Sequence, residues 1–154
     1  MQHQLQTNWC WSACATSTSL FYASASAWTQ CKLAGTELNQ TTCCQDGSTT
    51  WCNQPWYLDR ALTQTGNFGH MQQGPLDWNA LSVEIDAGRP VAARIGWAGG
   101  GGHFVVISGV SDLDGGPAVD IQDPWFGPST LPLQEFTTRY RATGTWTHSY
   151  FTSG

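Results

Sequence analysis

The sequence predicts an α+β chain: a helical half over about residues 1–89, then an antiparallel β half over about 90–154, with a ligand cleft between the two. Three observations carry this. Apolar residues before residue 89 recur at helical spacing, bracketed by cap and stop residues. From Pro90 onward the pattern turns to alternation and β-branched runs. No internal repeat or long linker interrupts the 154 residues, which suits one domain, 1–154, with enough chain for a sizeable core.

The elements follow in order. Residues 9–24 read as a buried central helix through Trp9, Ala13, Leu20 and Tyr22, although the period is weak and Thr and Ser are frequent. Thr7 or Asn8 is placed to cap it. Residues 25–52 are polar and Cys-rich and read as a stapled loop region with a short helix around Gln30–Leu33. A second helix is expected from Asn53-Gln54-Pro55, with Leu58, Ala61 and Leu62 on one face and Gly66 at its end. Residues 67–76 read as a connector. Asp77 caps a third helix carrying Trp78, Leu81 and Ile85, which Gly88 and Pro90 stop. Val91, Ala93, Ile95 and Trp97 alternate as in a half-buried strand. After the four glycines 99–102, His103–Val110 is a β-branched strand, Asp112–Gly116 a turn, and Ala118–Gln122 a strand ending at Asp123-Pro124. A Pro-rich loop, a short helix near Leu133–Tyr140 and a last strand, Thr145–Thr152, complete the chain. The last strand is expected to carry Trp146, His148 and Tyr150 on one face.

Composition narrows the function. Charged residues make up 11%, against roughly 25% in ordinary domains. The net charge is −5, Lys32 is the only lysine, and the arginines are scattered, so nucleic acid is not an expected partner. No apolar run approaches the roughly 20 residues of a membrane span. Met1-Gln2-His3 shows no signal peptide, and a removed leader or pro-segment stays open. Six cysteines, nine tryptophans and few lysines suggest a secreted or otherwise exported protein held partly by disulfides. If Cys10 is a free nucleophile, two disulfides and one spare thiol remain among Cys14, Cys31, Cys43, Cys44 and Cys52. Adjacent Cys43 and Cys44 are expected to bond to two of Cys14, Cys31 and Cys52 rather than to each other. Cys14, one helical turn past Cys10, is a disulfide half or a buried thiol.

Cys10 stands between Trp9 and Trp11 in the first helical turn, where free N–H groups and the dipole favour a thiolate. The bland alternative is a small buried hydrophobe or half a disulfide. Cysteine catalysis also needs a base and a group that orients it. Of His3, His70, His103 and His148, His103 is best placed, at the start of a buried strand directly after four glycines. Asp123, held extended by Pro124, can accept Nδ1–H from His103. A metal module is disfavoured by the absence of Cys-x-x-Cys, and no metal or cofactor is expected. A Trp-rich, non-catalytic binding module is the alternative from another class.

Gln4–Cys10 with its Trp-Cys-Trp core, Gly101-Gly102-His103-Phe-Val-Val-Ile, and Asp123-Pro124-Trp125 resemble, in the same chain order, the three catalytic blocks of papain-like cysteine peptidases. The nearest resemblance is to the small bacterial branch with plant-pathogen avirulence-effector proteases and, more distantly, bacteriocin-transporter leader peptidases. The resemblance implies a papain-like fold, no cofactor, and a protein or peptide substrate cut by a chain that is a monomer. It implies Cys10 as nucleophile, His103 as base and Asp123 as third member. Gln4, six residues before the cysteine, takes the place of the oxyanion-hole glutamine, with Gln6 the competing candidate. Trp125 takes the place of the ring that shields the His–Asp pair from water. The same triad also supports transglutaminase, ligase or deamidase chemistry.

Overall fold

The computed structural model describes all 154 residues. In chain order the elements are α1 (Cys10–Tyr22), α2 (Gln30–Glu37), α3 (Leu58–Thr65), β1 (Phe68–Gln73), α4 (Trp78–Asp86), β2 (Val91–Trp97), β3 (Gly102–Leu113), β4 (Gly116–Asp123), β5 (Gly127–Pro132), α5 (Leu133–Arg139) and β6 (Gly144–Thr152). The strands form one antiparallel sheet in the order β1-β6-β2-β3-β4-β5. The α+β class is the one expected. No helix is long and apolar enough to cross a membrane.

Strand periodicity sends alternate side chains to opposite faces. Ala92, Phe104, Val106 and Tyr150 face a core built with Trp11, Cys14, Ala15, Leu58 and Leu62 of α1 and α3. Val91, Ala93, Ile95, Val105 and Ile107 face a second core with Leu81 of α4, Phe136 of α5 and Trp146. The sheet is therefore covered on both sides, and α4 lies across it from α1. The weak period of α1 follows from burial nearly all round between Cys10 and Ala15. Its polar residues are paired: Ser12 Oγ donates to the Gln30 carbonyl (2.9 Å) and Thr16 Oγ1 to the Ser12 carbonyl (2.8 Å).

Several local expectations are corrected. Neither Thr7 nor Asn8 caps α1: the N-cap is Trp9, without a side-chain bond. Both are tied to Asn53 instead, whose amide donates to Thr7 Oγ1 (2.8 Å) and whose Oδ1 accepts from Asn8 N (2.9 Å). With Asn53 spent this way, α3 starts at Leu58 rather than at 53–55, and Gly66 ends it in the left-handed conformation. The 67–76 connector contains β1, and the Pro-rich loop after Asp123 contains β5. In β6, Trp146 pairs with Ile95 and His148 with Arg94, so Thr147 is an extra residue. That bulge separates the expected common face: Trp146 joins one core and Tyr150 the other.

The disulfides are Cys31–Cys44 and Cys43–Cys52, and Cys10 and Cys14 are free. Cys43 and Cys44 thus bond to separate partners, as expected, and Cys14 is the buried thiol rather than a disulfide half.

Candidate active site

The Trp-Cys-Trp stretch is an anchored helix start. Trp9 Nε1 donates to the Cys52 carbonyl (2.7 Å) and Trp11 Nε1 to the Gln54 carbonyl (3.0 Å). Both indoles clamp α1 onto a segment that the Cys43–Cys52 disulfide holds. Cys10 is the first helical residue, so the amides of its turn have no carbonyl partner within the helix. Its side chain borders two cavities, of about 300 and 640 Å³.

His103 arrives from across the sheet. Gly100 and Gly101 turn the chain with positive φ (93° and 80°), a conformation open to glycine, and deliver His103 at the start of β3. Strand β4 runs antiparallel to β3, so its last residue, Asp123, returns beside His103. Asp123 Oδ1 lies 2.9 Å from His103 Nε2. The bond expected at Nδ1 is thus made by Nε2. The His103 ring and Cys10 line the same cavity.

Asp123 is 2% exposed and fully partnered. Besides His103, its Oδ1 accepts from Trp125 N (2.7 Å) and Phe126 N (2.9 Å), and its Oδ2 accepts from Tyr140 Oη (2.6 Å). Tyr140 was missed in the sequence, where it read only as the end of a short helix. Burial alone would raise the Asp123 carboxyl, but the bonds from His103 and Tyr140 outweigh it and hold it below its ordinary value. Burial disfavours charge on His103 too. The bonds to Asp123 and Cys10 outweigh that and push the imidazole up to about 9. Burial also pushes the Cys14 thiol well up, with Cys10 and Asp123 adding to it. Cys14 accordingly stays protonated and donates to the Phe104 carbonyl (3.3 Å).

Gln4 lines the smaller cavity together with Cys10 and His103. Its Nε2 donates to the carbonyls of Gln6 (2.8 Å) and Thr7 (2.9 Å), and its buried Oε1 has no partner. Gln6 points elsewhere, with its amide against Gly47. Trp125 also lines the cavity, but it is 44% exposed and stacks on His3 at 5.8 Å. The rings lying against His103 are Trp97 and Phe126, each at 6.2 Å between centroids. Trp125, expected as the shield, gives Asp123 a hydrogen bond from its backbone N–H. No group of three or more His, Cys, Asp or Glu side chains is placed to hold a metal ion.

A search of curated proteins finds no match to the chain. A family model described as the papain-like cysteine protease AvrRpt2 matches residues 1–141. With nearly the whole chain matched, this protein belongs to the AvrRpt2 family of papain-like cysteine proteases.

Proposed function

We propose that the chain is a cysteine endopeptidase that cuts peptide bonds through a thioester on Cys10. The observation that carries this is the position of His103, bonded to the buried Asp123 through Nε2 and lining the same cavity as Cys10. The Cys10 thiolate attacks the scissile carbonyl carbon. The oxyanion is met by the Cys10 backbone N–H and by Gln4 Nε2, which gives up one of its carbonyl partners. His103 Nδ1 passes its proton to the leaving nitrogen, the C–N bond breaks, and a thioester remains. Water then attacks, His103 takes up its proton, and the C–S bond breaks to release the acid. Asp123 holds the ring and favours its charged form. The two disulfides support a working place outside the reducing cytoplasm.

The test is Cys10→Ala. Turnover of a peptide library should vanish while the fold, read by circular dichroism, persists. Residual turnover at the native rate overturns the assignment. Gln4→Ala should lower kcat by roughly ten- to a thousandfold, the scale for losing one oxyanion donor. An unchanged kcat with lowered stability would make Gln4 a brace for the 4–7 turn instead.

A further inference from the structure

The larger of the two cavities at Cys10 contains a cation without a counter-ion. Arg94, half-buried on β2, lines it. The ion pairs of the molecule are Arg89–Glu84 and His103–Asp123, and Arg94 belongs to neither. Of its guanidinium N–H groups, one is bonded, from Nη1 to Thr147 Oγ1 (3.1 Å). Thr147 is the extra residue of the β6 bulge, and its hydroxyl in turn donates to the Arg94 carbonyl (3.1 Å). The other end of the guanidinium lies over Gly102, where a Cβ would come within 2.8 Å of Nη2. The group is therefore held one residue from His103, with donors still free on its cavity side.

The surroundings favour an anion. Trp56, Tyr57, Phe104 and Tyr150 line the cavity with aromatic rings, which offer the Arg94 guanidinium no competing acceptor beyond the Tyr hydroxyls, so a charge-assisted hydrogen bond to an incoming anion is open to it. His148, the cross-strand partner of Arg94, has its imidazole held down by burial and by Arg94, so it does not add a second fixed charge. Asp59 lines the cavity as well, yet lies beyond ion-pair distance of Arg94. A planar guanidinium with free donors in an open, aromatic-lined cavity matches a carboxylate that approaches in its plane.

We propose that Arg94 makes this cavity a subsite for an acidic side chain, Asp or Glu, on the acyl side of the scissile bond. The side follows from the mechanism. His103, Trp97 and Phe126 line the smaller cavity, and the leaving amine must be on the His103 side to receive its proton. The larger cavity then takes residues preceding the cut. This subsite rests on the peptidase reading.

Two measurements test it separately from that reading. The first is kcat/KM on peptides carrying Glu, Gln or Lys at each of the three positions before the cut. One position should favour Glu over Gln by about tenfold, the scale of a hydrogen bond to a charged group. Arg94→Gln should bring that ratio to about one, and Arg94→Glu should turn it toward Lys. The second is binding of the same peptides to the Cys10→Ala protein, which needs no turnover. The Glu peptide should bind about tenfold tighter than the Gln peptide, more weakly at high salt, and the difference should vanish when Arg94→Gln is added. Cleavage or binding indifferent to Glu, Gln and Lys at all three positions overturns the acidic subsite and leaves the peptidase reading standing. Acid-selective binding without any turnover by the unmodified chain upholds the subsite and overturns the peptidase.

Discussion

Asp123 shows how much of the site's chemistry is set by hydrogen bonding to one carboxylate. A buried carboxyl without partners protonates rather than stay charged. This one receives four hydrogen bonds, from His103, Tyr140 and two backbone amides, and so remains an anion against its burial. Its charge helps to lift the His103 imidazole to about 9, the condition for an imidazolium that can protonate a leaving amine at neutral pH. Asp123→Asn keeps the shape and removes the charge. The alkaline limb of kcat/KM, which belongs to the Cys10–His103 pair as a unit, should then move to lower pH by about 1–3 units. A pH–rate profile on any cleaved peptide measures it, and an unmoved limb would mean that Asp123 only positions the ring. Tyr140 and Trp97 escaped the sequence reading because neither carries a local signal. Each meets His103 or Asp123 through strand pairing and packing that join distant parts of the chain, and a tyrosine at a helix end reads the same whether its hydroxyl meets water or a buried carboxylate.

Single elements were legible where one face is buried and indistinct where it is not. Strands β2, β3 and β4 carry apolar residues into both cores and announce themselves by β-branching and alternation. Strands β1 and β5 are the sheet edges; β1 is almost wholly exposed after Phe68, and β5 includes Pro128 and Pro132. Their pairing comes from the neighbouring strand, which a local pattern does not contain. The start of α3 was misplaced for a related reason: Asn53 is bonded to Thr7 and Asn8, residues 45 or more positions away. This loop is also what fixes the nucleophile's helix. The Cys43–Cys52 disulfide holds the carbonyl that Trp9 grips. Replacing both cysteines by serine should lower stability by about 2–4 kcal/mol. It should also loosen the start of α1, so that amide exchange at residues 9–12 rises more than in the sheet. Urea unfolding and hydrogen exchange check the two effects, and a stability loss with unchanged exchange at 9–12 would separate the loop from the helix start.

For the whole molecule, the three residues read as catalytic were legible because each sits at the end of an element beside unusual neighbours: Cys10 between tryptophans, His103 after four glycines, Asp123 before proline. The cleft itself was legible only as a boundary between halves. The structure makes it a junction between α1 with its disulfide-bound loop and the β2–β4 end of the sheet, and it places α4 on the far face. The same junction links activity to stability through two opposed titrations. The Asp123 carboxyl is lowered from 3.8, so its contribution is full above about 4 and is lost as pH falls through the lowered value. The His103 imidazole is raised from 6.5 to about 9, so its contribution is full below about 6.5 and is lost as pH rises through 9. Both contributions are complete between about pH 4 and 6.5, and stability should be greatest there. From pH 6.5 to 9 it should fall by up to about 3 kcal/mol, the His103 shift expressed as free energy. Thermal unfolding between pH 5 and 9.5 measures this decline in the native protein and in Cys10→Ala. Because Cys10 is one of the groups that raise His103, the variant should decline less steeply. Equal declines would show that Asp123 alone holds the imidazolium, and a flat profile in both would remove the His103 charge from the account of stability.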